Sequence, residues 1–275
     1  MSTLTKRVIT AVILVAVLVI TLFFMPPVAG QVLLGVFLLI AAWEWSGFFL
    51  ANSSIARVAF VVLAVALAAA VAQVGASSTI GMIILWGTAA WWLGVSIWLM
   101  VGRPGLSAAS CALTGLMGLV PAWFAVSTLF ACESGAWLFV WVVAIVAAAD
   151  IGAYFTGRSI GRNKLAPTIS PGKTREGLYG GLVCAALVAA GGAALAGGPV
   201  WLFGLAGVVI GLVSVVGDLT VSVYKRRADL KDSGWILPGH GGVMDRIDSL
   251  VAALPVFALV LTSVAMLADT LCMRF

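Results

Sequence analysis

Charge is what this sequence has least of. Its 275 residues include 15 Lys and Arg, 10 Asp and Glu, and one histidine, so 9% of the chain is charged. A soluble globular domain carries about a quarter of its residues charged, which excludes an ordinary water-facing surface. Cysteine is also scarce. Cys111, Cys132, Cys184 and Cys272 are scattered without a CxxC pair, an arrangement expected of small buried hydrophobes rather than of a metal or disulfide framework. A cleavable leader is not expected either. Lys6 and Arg7 precede the apolar run Val8–Met25, longer than the roughly 7–15 residues of a signal-peptide core and not followed by an A-x-A-like site, so it reads as a retained span. A phosphate-binding P-loop is incomplete. Gly172-Lys173-Thr174 resembles its end, but Pro167 stands where the first glycine belongs, and no strand is expected ahead of it.

What is present is hydrocarbon. Hydrophobic residues make up 63% of the chain, and apolar runs of about 20 residues are the mark of membrane-spanning helices. Nine spans are expected: Val8–Met25, Val28–Leu50, Val58–Val74, Ile80–Val101, Ala108–Phe130, Ala136–Phe155, Gly177–Leu195, Val200–Val221 and Ser249–Leu267. The 31 glycines suit close helix approach in lipid. With a cytoplasmic N-terminus, alternate connections carry 14 of the 15 basic residues to the cytoplasmic side and leave Arg274 alone on the other. That bias follows the positive-inside rule. The net charge of +5 then reflects cytoplasmic loops facing anionic lipid, and nucleic acid is not an expected partner. The fold class is therefore an all-α polytopic integral membrane protein, a single membrane-embedded domain over 1–275.

The acids converge at one depth. Glu44, Asp150 and Asp218 fall in the last third of spans running toward the cytoplasm, and Asp245 and Asp248 begin the ninth span. Charges at membrane depth line a cavity or pair. Nine of the 25 charged residues occupy Ser222 to Asp248, the core of a polar region over 214–248. Asp218, Ser222, Lys225 and Asp229 are spaced four, three and four apart, one face of a continuing helix, and Asp245 and Asp248 share a face three apart. Three carboxylates at two helix ends, beside Lys and Arg, suit Mg²⁺ with a phosphate completing its shell. Gly241 and Gly242 approach the ninth span with exposed amides that favour anions. His240 between glycines is a candidate phosphate donor. A second polar segment, 150–177, begins at Asp150 and runs through Ser170-Pro171-Gly172-Lys173-Thr174, a basic loop able to bind phosphate or a lipid headgroup. Glu44, between Trp43 and Trp45, either pairs with a cytoplasmic base or joins the site.

Ser222-x-x-Lys225-Arg226, Lys231-Asp232-x-Gly234 and Leu237-Pro238-x-His240-Gly241-Gly242-x-x-Asp245-Arg246-x-Asp248 resemble the signature of phosphatidate cytidylyltransferases, the CDP-diacylglycerol synthases. Asp150-x-Gly-Ala-Tyr154 and Ser170-Pro171-x-Lys173-Thr174-x-Glu176-Gly177 are similar to the family's as well. The resemblance implies transfer of CMP from CTP to phosphatidate, giving CDP-diacylglycerol and pyrophosphate for phospholipid synthesis. It implies a homodimer in a bacterial inner membrane with its active site toward the cytoplasm. It also implies Mg²⁺, with a monovalent cation such as K⁺ as a second ion. Asp218, Asp245 and Asp248 are then metal carboxylates, and Lys225, Arg226 and Lys231 phosphate contacts. Ser222, Asp232, His240, Arg246, Asp150, Ser170, Lys173 and Thr174 are the further substrate-binding candidates. Two other readings remain: a CTP-dependent lipid or polyprenol kinase, and an ion-coupled transporter.

Overall fold

The computed structural model describes residues 3–102, 106–237, 239 and 241–268, with side chains from 9 to 265. The described residues form nine helices and one short hairpin: α1 (Thr3–Phe24), α2 (Pro27–Ser46), α3 (Ser54–Val71), α4 (Thr79–Val101), α5 (Ala108–Phe130), α6 (Gly135–Ile160), β1 (Lys164–Ala166), β2 (Ser170–Thr174), α7 (Arg175–Leu195), α8 (Val200–Arg227) and α9 (Met244–Ala268). Eight of the helices are long and apolar enough to cross a membrane. The ninth, α1, has 22 residues, about 33 Å at 1.5 Å per residue, and its described apolar stretch is Ile9–Phe24. Its side chains from Lys6 to Val8 lie outside the description, as do Arg103 and Arg274.

Local chemistry sets the helix starts. Ser53, Ser78 and Thr174 each accept a backbone N–H of the following turn through their hydroxyls, and Ser107 with Ser110 forms a reciprocal capping box. Such caps satisfy the free amides that every helix start leaves. Pro27 opens α2, where its missing N–H costs nothing. Gly102 ends α4 at φ 100°, a left-handed conformation that glycine adopts without penalty.

Helix α9 is the hub. Ala252, Ala253, Phe257 and Ala258 are fully enclosed, and Val251, Leu254 and Val256 nearly so. A helix apolar all round belongs at the centre of a bundle. Helices α6, α7, α8 and α9 pack in succession, and small residues allow it. A Cβ on Gly181 would sit 2.5 Å from the Ala149 carbonyl of α6, and one on Gly207 would sit 2.6 Å from the Ala185 carbonyl of α7. Where hydrocarbon surrounds the bundle, close backbone contact of this kind supplies the packing attraction.

Four expectations need correction. The segment after α6 is a β-hairpin, pairing Lys164 with Thr174 and Ala166 with Ser170, so the architecture is helical with one antiparallel ribbon. A strand therefore does lead into α7, but as half of a hairpin with Gly172-Lys173 inside it, and no glycine loop follows. Helix α8 continues past the apolar run to Arg227 and stops there. Asp229, at φ 56°, lies beyond the helix and off the Asp218 face. Finally, Cys132 is disulfide-bonded, whereas Cys111 and Cys184 are free.

Candidate active site

Helix α8 carries Asp218, Ser222 and Lys225 on one face, and its opposite face is anchored. There the Tyr224 hydroxyl lies 3.0 Å from the Thr114 hydroxyl of α5, in a buried contact. On the polar face, Lys173 reaches over from β2 and pairs with Asp218. The Ser222 hydroxyl donates to Asp218 at 3.4 Å, a long bond. Gly217 brings the helices together at this level, because a Cβ there would lie 2.6 Å from the Asp248 carbonyl. Asp248 consequently feels Asp218 as a like charge and Lys225 and Lys173 as opposite ones. Asp150 of α6 interacts electrostatically with both Lys173 and Asp218. The structure thus gathers Asp150, Asp218 and Asp248 around two lysines.

Asp245 is held differently. Its Oδ1 pairs with Lys225 Nζ at 2.6 Å, and its Oδ2 accepts the amides of Ser233 at 2.8 Å and Gly242 at 3.0 Å. Both oxygens are engaged, and the side chain is only 4% exposed. Asp248 accepts one amide, that of Ser249, at 2.8 Å. Among the described residues no group of three or more His, Cys, Asp or Glu is arranged to hold a metal by itself. Asp218 and Asp248 are the hard-oxygen pair that fits a Mg²⁺ ion whose remaining ligands are water and substrate phosphate, the usual sharing for that ion.

The loop between α8 and α9 doubles back on itself. Leu237 donates to the Gly241 carbonyl at 2.9 Å, with Gly241 at φ 84°, and Asp232 packs against Gly241. Arg226, Lys231, Asp232 and Arg246 are exposed on the same polar end. His240 lies outside the described residues.

Beside Asp218 a cavity of about 420 Å³ opens between α6, the hairpin, α7 and α8, lined by Asp150, Tyr154, Arg158, Ser170, Lys173 and Thr174 among others. Thr174 is buried and its hydroxyl serves α7, accepting the Gly177 amide at 3.0 Å. Arg158 donates to the Tyr154 hydroxyl at 2.8 Å. The hairpin base is fastened by Glu176, which accepts the amides of Arg162 and Asn163 and the Asn163 side-chain amide at 2.7–3.2 Å.

Sequence reasoning left Glu44 between two readings and missed the role of Glu176. Glu44 pairs with no base among the described residues; it accepts the Ser233 hydroxyl at 2.8 Å and the backbone amides of Val243 and Met244 at 3.1 and 2.8 Å. Its position at the depth of the other acids was the available signal. Glu176 stood in the sequence only within the motif that runs from Ser170 to Gly177, and nothing in its spacing pointed back to Asn163.

A sequence profile of the cytidylyltransferase family matches residues 5–264. A Pseudomonas aeruginosa protein named phosphatidate cytidylyltransferase is 36% identical over 275 residues, covering 93% of this chain and 96% of its own length. One of the same name from Haemophilus influenzae is 33% identical, covering 92% and 96%. A third, from Brucella suis, is 46% identical over 122 residues, covering 42% of this chain and 43% of its own length.

Proposed function

This chain belongs to the cytidylyltransferase family, and on that premise we propose that it transfers CMP from CTP to phosphatidate, releasing pyrophosphate and forming CDP-diacylglycerol. The observation that carries the reading is the Asp218–Asp248 pair flanked by Lys173 and Lys225, at the membrane end of a polar loop. A phosphate oxygen of phosphatidate bonds to the α-phosphorus of CTP as the bond to the bridging oxygen of the β-phosphate breaks. The nucleophile is already an anion near neutral pH, so the demand is for charge neutralisation and alignment of two polyanions. Asp218 and Asp248 would hold Mg²⁺, which when bound would supply a Lewis acid for phosphoryl oxygens, with K⁺ as a second ion of the same site. Asp245 holds Lys225 toward those oxygens. Arg226, Lys231 and Arg246 meet the nucleotide phosphates from the cytoplasm, with Ser222 and Asp232 beside them. The hairpin cavity, with Arg158, Ser170 and Lys173, takes the lipid phosphate.

The same reading puts the N-terminus and the site on the cytoplasmic face of a bacterial inner membrane. The basic residues favour it, and so does the Cys132 disulfide, which then falls on the opposite, oxidising side. A homodimer completes the reading; Gly87 and Gly94 on exposed α4 have open space at Cβ, as a helix-pairing surface requires.

The test is purified protein with labelled CTP, phosphatidate and Mg²⁺. We expect equimolar pyrophosphate and lipid-linked CMP, and loss of both on chelation. CDP with a phosphorylated lipid would instead identify a kinase.

A further inference from the structure

Glu44 is 4% exposed and stands in the last turn of α2, where Trp43 and Ser46 hold Arg57. A carboxylate at membrane depth is costly unless donors satisfy it. Three do: Oε1 accepts the Val243 amide, and Oε2 accepts the Met244 amide and the Ser233 hydroxyl. Two of these are the unsatisfied amides at the start of α9, where a negative charge also complements the helix dipole. The third belongs to Ser233, whose own amide donates to Asp245. Glu44 and Asp245 therefore clamp the same two stretches of loop, at Ser233 and at 242–244. The clamp leaves no room for side chains. A Cβ on Gly234 would overlap Glu44 Oε1, and one on Gly242 would overlap Glu44 Oε2 and the Ser233 hydroxyl. Gly234 and Gly242 are thus required by the carboxylate that reaches them.

We propose that Glu44 is a positioning residue for the reaction. It fixes where α9 begins, and thereby how Asp245 holds Lys225 and where Asp248 stands for the metal. The proposal rests on the reading of those two aspartates as site residues. Its chemistry is purely that of a distant acceptor: Glu44 touches no substrate, and its effect is felt through Ser233 and the first turn of α9.

Replacing Glu44 by glutamine leaves the shape but turns one acceptor into a donor facing an N–H. Because small misplacements of reacting groups cost as much as ~100-fold, we expect Glu44→Gln to lower kcat about 10-fold and Glu44→Ala about 100-fold. KM for CTP and for phosphatidate should stay within about 2-fold, since their contacts are untouched. Rates are measured per folded enzyme, monitored by thermal melting in detergent. Ser233→Ala, which removes one of the three donors, should cost about 3-fold alone and add nothing to Glu44→Gln, the non-additivity expected of groups in one network. A lower melting temperature with unchanged kcat would reduce Glu44 to a structural residue and overturn the proposal. If the Glu44 variants do not fold, Ser233→Ala decides, and an unchanged kcat in it overturns the proposal equally. Asp245→Asn measured alongside separates the two layers. Full activity in that variant would sink the underlying site reading. An inactive Asp245→Asn beside a normal Glu44→Gln would sink the positioning role alone.

Discussion

The two walls of the polar end are built on opposite principles. The α8–α9 wall is over-determined: Asp245 takes a lysine and two amides, and Glu44 takes three donors. Its acids come from rigid helix ends. The hairpin wall is tied to α7 by Glu176 and to α8 by the Lys173–Asp218 ion pair, whose side chains are 25% and 26% exposed, with Ile169 packed among Val215, Leu219 and Val223 of α8. Preorganised charge lowers a barrier because no reorganisation is needed at the moment of reaction, whereas an ion pair a quarter exposed exchanges partners at less cost. The α8–α9 wall is thus suited to the chemical step and the hairpin wall to admitting a substrate.

The largest effect should come from breaking the rigid wall. Asp245→Asn keeps the shape, strips Lys225 of its counter-charge, and should lower turnover on the order of 1000-fold, since a misdirected stabilising charge costs about 10²–10³. It should also destabilise the protein by ~3 kcal/mol, because a nearly buried lysine is left unpaired. Near wild-type turnover at saturating Mg²⁺ would show that the engaged carboxylate is only a strut.

The second prediction sets one wall against the other. Lys173→Ala should raise KM for phosphatidate about 10-fold and leave KM for CTP within about 2-fold, with a stability loss of ~1 kcal/mol or less for an exposed pair. Arg226→Ala, exposed at the end of α8, should do the reverse, raising KM for CTP about 10-fold, as loss of one phosphate contact of about 1.4 kcal/mol would. If both variants moved the same KM, the division of substrates between walls would fail.

The rigid wall was partly legible in the chain; of the soft one the residues were legible, Asp150, Ser170, Lys173 and Thr174 among them, and the shape was not. Spacing alone put Asp218, Ser222 and Lys225 on one face and Asp245 with Asp248 on another, because a helix converts i, i+3 and i+4 into adjacency. Apolar run length located the spans for the same reason. The hairpin has no such code. Its strands are three and five residues long, contain Pro171 and Gly172, and depend on Glu176 and Asn163 for their shape. Glu44 is legible as a charge at the right depth but not as a clamp. Its donors are 189 to 200 residues away and two of them are backbone, which carry no side-chain signature. Asp229 was misread because the helical spacing ran on while the helix did not.

That last residue gives the smallest effect and a useful boundary. Asp229 sits at φ 56°, where a non-glycine residue pays about 1 kcal/mol. Asp229→Gly relieves that strain but frees the unfolded chain by a similar 0.5–1 kcal/mol, so the two terms nearly cancel. Melting temperature should stay within about 2 °C, and kcat and both KM values should be unchanged, because the carboxylate lies beyond the last turn of α8 and faces none of the clamped groups. A fall in turnover comparable to that of Lys173→Ala would place Asp229 back with Asp218, and the rigid wall would then have to extend past the end of its helix.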